Sequence, residues 1–130
     1  MLENIAEPKD MYLAHRAIAM PRDTNPNGDI FGGWLISQMD LAAGNTASQH
    51  AQGRVVTVAI DKVTFLLPVN VGDEVSCYCG IKKVGRTSLT LNVEVWVRRR
   101  LTDHREKATT GTFTFVAIDE DRKPTPVPKR

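Results

Sequence analysis

The sequence predicts an α+β domain in which one long helix packs against an antiparallel sheet. An apolar segment with helical spacing occupies residues 33–52, and four segments rich in β-branched residues follow it. The connections between those segments are short enough to join antiparallel neighbours. A chain of 130 residues can build one such core but hardly two separate ones.

The predicted elements follow one another without an internal repeat or a linker between domains. Residues 11–20 read as an apolar strand that ends at Pro21, and residues 21–29 are dense in Pro, Asn, Asp and Gly, which predicts a loop. The helix is expected to stop at Gln52 and Gly53. Strands are expected over residues 54–69, 73–85, 87–100 and 107–119. Their alternation predicts these buried side chains: Leu89, Leu91, Val93, Val95, Val97, Phe113 and Phe115.

The composition argues against several classes of function. A formal net charge of +2 gives no basis for a nucleic-acid partner, which would need a clustered basic surface. No apolar run reaches the roughly 18 residues of a membrane span, and the first ten residues lack the apolar region of a signal peptide. We therefore expect a cytoplasmic protein with one domain over residues 1–118. The charged, Pro-rich tail over residues 119–130 is expected to lie outside the core or to be disordered.

The cysteines and histidines do not have the pattern of a metal site. Cys77 and Cys79 lie two apart in a predicted strand, so their side chains share a face. This favours small buried thiols over a metal site or a strained disulfide. His15, His50 and His104 are scattered, and each is expected to be structural or exposed.

Asp40 is the one charged side chain between residues 31 and 52. On a helical wheel it shares a stripe with Ile36, Ala43 and Ala47, so apolar and small residues border it. A buried, unpaired carboxylate is unstable or has its pKa shifted upward, so such a residue has a partner or a task. Asp40 is therefore a functional acid, or it meets water at a subunit boundary, or it pairs with an Arg or Lys. The small residues also permit close approach of a second copy.

Gly32 and Gly33 stand where the helix is expected to begin. Glycines at that position leave the first backbone N–H groups unshielded, and such groups can bind an anion or stabilise an oxyanion in acyl transfer. The segment lacks G-x-G-x-x-G spacing and a Gly-Lys-Ser/Thr sequence, so it matches neither a dinucleotide-binding loop nor a Walker loop.

The string AMPRDTNPNGDIFGGWLISQMD over residues 19–40, followed by GRVVTVAIDKVTFLLPVNVGDEV and KVGRTSLTLNVEVWV, resembles the YciA-type acyl-CoA thioesterases of the hotdog-fold family. The resemblance extends over residues 11–118. It implies a hotdog fold, an antiparallel sheet of five to six strands wrapped around the long helix. It also implies hydrolysis of acyl-CoA to free acid and CoA, with no metal and no organic cofactor. The implied assembly is a homo-oligomer with a dimer as the active unit, usually a hexamer.

Residue by residue, the resemblance assigns roles at the site. Asp40 matches the catalytic carboxylate, and Asn25 matches the Asn that contacts the thioester or its water. Gly33, with Gly32 beside it, matches the helix start whose N–H polarises the thioester carbonyl. The turn over residues 84–88 matches the segment that approaches the nucleotide of CoA.

The chemistry of that turn is compatible with phosphate. Its cations, hydroxyls and glycine are supplied by Lys82, Lys83, Gly85, Arg86, Thr87 and Ser88. The alternative is a solvated hairpin turn. The three arginines over residues 98–100 are interpreted as a solvated strand end rather than as a phosphate site.

Three other functions are compatible with the same pattern to different degrees. A hydroxyacyl-thioester dehydratase would need a His acting with an acid at the active helix, and no His lies between residues 20 and 49. A regulator that senses acyl-CoA would need a DNA-binding module, for which about ten residues before the first strand are too few. An acyl-CoA-binding module without turnover stays open. The acyl length also stays open, as does the choice between nucleophile and general base for Asp40.

Overall fold

One antiparallel sheet of five strands carries a single long helix on one face in a computed structural model, which describes residues 8–128. The strands are β1 (Tyr12–Ile18), β2 (Val55–Phe65), β3 (Glu74–Val84), β4 (Ser88–Arg98) and β5 (Arg105–Ala117), and the helix α1 spans Gly32–Ala51. The order across the sheet is β1-β3-β4-β5-β2. The predicted hotdog fold is confirmed, with five strands in the described residues.

Two element boundaries have clear physical causes. The strand expected over residues 54–69 ends at Phe65, because the N–H groups of Leu66 and Leu67 both donate to the Ala108 carbonyl and turn the chain. The helix ends at Ala51, since Gln52 adopts the left-handed conformation with φ 57° and its N–H bonds to the Ser48 carbonyl.

The core lies between α1 and the inner face of the sheet. The alternate residues of β4 and the two phenylalanines of β5 are buried as predicted. Small side chains on α1, those of Ala42, Ala43 and Ala47, are fully buried and let the helix lie close to the strands. Asp40 lies on the edge of this stripe rather than inside it.

Cys77 and Cys79 point from β3 into this core as free thiols. Burial, and to a smaller extent the neighbouring Cys79, raises the pKa of Cys77 to about 12. Burial raises the pKa of Cys79 to about 11, partly offset by a hydrogen bond with Thr46. Both are protonated at neutral pH and therefore poor nucleophiles, so the interpretation of buried structural thiols is confirmed.

The arginine run at the end of β4 takes part in ion pairs. Arg99 Nη1 lies 2.6 Å from Asp73 Oδ2, and the Asp73 residue is only 2% exposed. Arg98 Nη2 lies 3.4 Å from a carboxylate oxygen of Glu74. The interpretation of a solvated strand end is therefore wrong for Arg98 and Arg99, which tie β4 to the start of β3.

The C-terminal segment folds back over the end of the sheet. The N–H of Thr125 donates to the Ala117 carbonyl at 2.9 Å, and the N–H of Val127 donates to the Arg86 carbonyl at 2.7 Å. The Val127 side chain is 7% exposed and belongs to the core. The expectation that the tail lies outside the core or is disordered is wrong for this part of it, because an apolar side chain anchors it.

Strands β1 and β2 form the two edges of the sheet. β2 exposes Val58 and Ile60 along its length and Phe65 at its end. Within residues 8–128, no helix is long and apolar enough to cross a membrane.

Candidate active site

The start of α1 offers two unused backbone donors. Phe31 precedes the helix in an extended conformation, and its side chain caps none of the N–H groups. The N–H of Trp34 bonds to the Phe31 carbonyl at 3.1 Å, whereas those of Gly32 and Gly33 have no acceptor among the described residues. Gly33 is exposed, so a ligand can reach its N–H at the positive end of the helix dipole.

The glycine at position 32 is in close contact with the Phe65 ring at the end of β2. A Cβ atom there would lie 2.9 Å from Cζ of Phe65, which is too close for two carbon atoms. Beside this contact is a recess of about 370 Å³. We call it the apolar recess, and it is lined by Ile30, Gly32, Leu35, Phe65, Leu66, Leu67, Pro68 and Val69.

Asp40 is half-buried and has a hydrogen-bond partner. The hydroxyl of Thr57 on β2 donates to Asp40 Oδ1 at 2.8 Å. No Arg or Lys pairs with Asp40 within residues 8–128, so the carboxylate keeps its second oxygen for other partners. Sequence reasoning missed Thr57. Its only signal was a single hydroxyl in the apolar run that opens β2.

A depression of about 600 Å³ lies next to Asp40 and runs towards the C-terminal end of α1. We call it the Asp40 groove. Its apolar lining residues are Leu41, Gly44, Val55, Val56, Phe115 and Ile118. Besides Asp40, its polar lining residues are Asn45, Ser48, Arg54, Thr57 and Arg122.

Asn25 organises the loop that leads into α1. Its side-chain carbonyl accepts the N–H groups of Asn27 at 2.9 Å and Asp29 at 3.1 Å, and its backbone N–H donates to the Asp29 carbonyl at 2.7 Å. Gly28, with φ 86°, completes this turn. The amide nitrogen of Asn25 has no partner among the described residues, so it can contact a substrate.

The turn between β3 and β4 lies on a different surface. The N–H of Gly85 donates to the Ser88 carbonyl at 2.8 Å, and the N–H of Ala117 donates to the Thr87 carbonyl. Gly85 and Arg86 line a recess of about 680 Å³ that they share with His50 and residues 126–128 of the folded-back tail. Lys83 and Arg86 are exposed, whereas Thr87 and Ser88 are half-buried and outside that lining.

A single chain does not bring all of these residues together. Gly33 and Asp40 are seven residues apart on one helix, which separates their backbones by about 10 Å along the axis. Neither Asn25 nor Gly33 lines the Asp40 groove, and the recess at Arg86 shares no residue with it. Each chain therefore presents the predicted donors and the predicted carboxylate on separate surfaces.

Over the described part of the chain, no three His, Cys, Asp or Glu side chains are grouped so that they could hold a metal ion.

Comparison with known proteins shows which family the chain resembles. The family model of the thioesterase superfamily matches residues 27–103. The acyl-CoA thioester hydrolase YciA of Salmonella typhimurium is 52% identical over 119 residues, which cover 89% of this chain and 90% of that protein.

Solved structures agree with this match. The hexameric thioesterase of Yersinia pestis has a TM-score of 0.89 and 51% identity, covering 95% of this chain and 100% of that one. A hexameric broad-specificity acyl-coenzyme A thioesterase has a TM-score of 0.89 and 42% identity, covering 100% of this chain and 90% of that one. The chain belongs to the thioesterase superfamily, in the branch of the YciA acyl-CoA thioester hydrolases.

Proposed function

We propose that the chain hydrolyses acyl-CoA thioesters to the free carboxylic acid and CoA. One observation carries the proposal: helix α1 presents two unused N–H donors at its start and a carboxylate, held by Thr57, in its middle. Thioester hydrolysis needs these two elements, an oxyanion donor and a carboxylate that attacks or activates water. The names of the relatives, which are acyl-CoA thioester hydrolases, support the same chemistry.

The proposed reaction uses each group once. The N–H of Gly33 donates to the thioester carbonyl oxygen and stabilises the negative charge that develops on it. In the general-base variant, Asp40 takes a proton from water while the water oxygen bonds to the carbonyl carbon. The carbon–sulfur bond then breaks, and the proton passes to the CoA sulfur. In the nucleophilic variant, Asp40 bonds to the carbonyl carbon first, and the carbon–sulfur bond breaks to release the CoA thiolate. Water then hydrolyses the resulting anhydride to the free acid and the Asp40 carboxylate, and a proton from that water passes to the thiolate. In both variants Thr57 orients the carboxylate, and the Asn25 amide contacts the thioester or the water.

A second copy of the chain would complete the site. β2 is an edge strand with one unpaired row of backbone groups and with exposed Val58 and Ile60. If two copies pair their β2 strands antiparallel about a two-fold axis near Ile60, Phe65 of each copy lies beside Val55 of the other. The helix start next to Phe65 then approaches the Asp40 groove next to Val55. Each dimer would have two equivalent sites, with Asn25 and Gly33 from one copy and Asp40 from the other.

The proposed assembly and the remaining substrate contacts follow from the same comparison. The two solved relatives described above are hexamers, which supports a hexamer of three such dimers for this chain. The turn with Lys83, Gly85, Arg86, Thr87 and Ser88 is proposed to contact the CoA nucleotide, because it offers cations and hydroxyls to phosphate. The reaction as proposed needs no metal and no organic cofactor, and a cytoplasmic location would give it access to acyl-CoA.

The direct test is thiol release by the parent protein and by Asp40→Asn. The parent should release free CoA thiol from acetyl-, butyryl- or palmitoyl-CoA, which distinguishes an enzyme from a module that only binds. Asp40→Asn keeps the size and polarity of the side chain but removes its charge, so kcat should fall by at least about 100-fold while the melting temperature changes little. A variant that retains activity within a few-fold of the parent would remove Asp40 from the mechanism.

A further inference from the structure

The apolar recess at the start of α1 contains no side chain that can form a hydrogen bond. Its volume of about 370 Å³ is bounded by the first turn of α1, the end of β2 and the loop after it. The polar pantetheine arm of CoA, with its two amides, would lose its hydration there without gaining partners. A hydrocarbon chain would gain from the same walls, because each buried methylene is favourable.

The recess adjoins the proposed position of the thioester. Gly32 is part of its lining, and the next residue is Gly33, whose N–H is free to bind the carbonyl oxygen. The acyl chain and the sulfur diverge from a carbonyl carbon held there, because its substituents lie in a plane and point away from one another. In the proposed dimer the sulfur would point towards the Asp40 groove of the second copy, which contains the amide of Asn45, the hydroxyl of Ser48 and the guanidinium of Arg54, and these groups match a polar arm.

Resting on the function proposed above, we propose that the apolar recess holds the acyl chain and that Phe65 sets the chain length it accepts. The Phe65 ring packs on the first turn of α1, where a Cβ on Gly32 would lie 2.9 Å away, and it remains 51% exposed. The neighbouring wall is fixed, because the N–H groups of Leu66 and Leu67 both bond to the Ala108 carbonyl. The ring is therefore the wall that a substitution can remove without changing the backbone.

The test measures kcat/KM for acyl-CoA substrates from two to twelve carbons. Removal of the ring in Phe65→Ala should let additional methylenes of the substrate enter the apolar recess. Each buried methylene should raise kcat/KM by about fourfold. We expect the ratio of kcat/KM for the eight-carbon to the four-carbon substrate to rise at least about tenfold. Leu66→Trp, a change at a half-exposed position of the same lining, should shift the ratio in the opposite direction.

Two control variants separate this role from general effects. Leu101→Ala removes an equally apolar but distant side chain in the β4–β5 turn, and its profile should match the parent. Ser48→Phe narrows the Asp40 groove instead, so it should raise KM for all chain lengths alike. If Ser48→Phe changes the preferred acyl length and Phe65→Ala does not, the acyl chain lies in the Asp40 groove and the proposal is overturned.

A double substitution tests the contact itself. Gly32→Ala should lower kcat/KM in the parent background, because its Cβ meets the Phe65 ring. In the Phe65→Ala background the fold-loss in kcat/KM should be at least about fivefold smaller. Equal losses in both backgrounds would contradict the contact. Failure of the parent to release thiol from any acyl-CoA would refute the proposed function. An unchanged length profile in an active Phe65→Ala variant would refute only the role of Phe65.

Discussion

The hydroxyl of Thr57 fixes one oxygen of the only acid in α1. Its hydrogen bond to Asp40 is 2.8 Å long, the usual length for a bond between a hydroxyl and an oxygen acceptor. The hydroxyl brings no charge of its own to the carboxylate, whereas an Arg or Lys partner would bring a positive charge. This arrangement suits a carboxylate whose one oxygen is held by Thr57 while its other oxygen attacks the thioester carbonyl or takes a proton from water.

Replacement of Thr57 by Val should separate orientation from packing. Thr57→Val keeps the shape of the side chain but removes the donor. Loss of a hydrogen bond to a charged group can change a rate constant by roughly 10- to 100-fold. We expect kcat to fall by about tenfold with little change in KM, and Thr57→Ser to recover most of the activity. Steady-state kinetics and a thermal melt on the three proteins check this. Equal kcat values in all of them would leave Thr57 without a role in orienting Asp40.

Individual residues also show what sequence alone could reach. Asp40 could be singled out because a charge inside an apolar helical pattern is costly. Gly32 and Gly33 could be singled out because glycines at the start of a helix leave its first N–H groups unshielded. Thr57 did not, since its contact with Asp40 depends on how β2 lies against α1, and no local pattern in the sequence encodes that. The sequence likewise did not reveal the close contact at Gly32, because the Phe65 ring that packs against it comes from a distant strand.

Among the elements, the end of β4 and the loop before β3 are joined by a buried ion pair. Asp73 accepts from Arg99 at 2.6 Å and from the N–H of Asn70 at 2.8 Å. Asp73→Ala would leave the Arg99 guanidinium with only Glu106 and the Pro68 carbonyl as partners and the Asn70 N–H with none, so we expect the free energy of unfolding to fall by about 2 kcal/mol. Urea denaturation at a fixed protein concentration measures this. Arg100→Ala, an exposed neighbour, should change it by less than about 0.5 kcal/mol. A loss for Asp73→Ala as small as the Arg100 control would show that the pair is energetically neutral.

The β3–β4 turn is held in place by the tail, through the hydrogen bond from Val127 N–H to the Arg86 carbonyl. A turn fixed in this way can present Arg86 to a phosphate without first being ordered. Arg86→Ala should raise KM for acyl-CoA and leave KM for the corresponding pantetheine thioester, which lacks the nucleotide, nearly unchanged. Arg22→Ala, at another exposed arginine, is the control. An equal rise in KM for both substrates would contradict a contact between Arg86 and the nucleotide.

For the whole molecule, the fold was predictable and the assembly of the site was not. Periodicity reports which residues of each element are buried, so α1, the strands and the inner faces of β4 and β5 followed from the sequence. The position of the tail did not follow from composition, because its charges and prolines mask one anchoring apolar residue, Val127. The separation of Gly33 from Asp40 follows from helix geometry, but which copy supplies each group depends on contacts between chains that periodicity does not encode.

The central claim is that a site combines Asp40 of one chain with Asn25 and Gly33 of another, and mixed oligomers test it most directly. Asp40→Asn removes the carboxylate. Asn25→Asp removes the amide donor but keeps the side-chain oxygen that orders the loop. Each variant alone should be nearly inactive. In a mixed dimer, one site collects both changes and the other is intact.

With equal co-expression and random pairing, about half of the dimers are mixed, so about one quarter of all sites should be whole. Two affinity tags, one on each variant, confirm that mixed oligomers form. Thiol release from butyryl-CoA should then recover to about one quarter of the parent rate. A rate no higher than the mean of the two separate variants, in a sample shown to contain mixed oligomers, would contradict a site shared between chains.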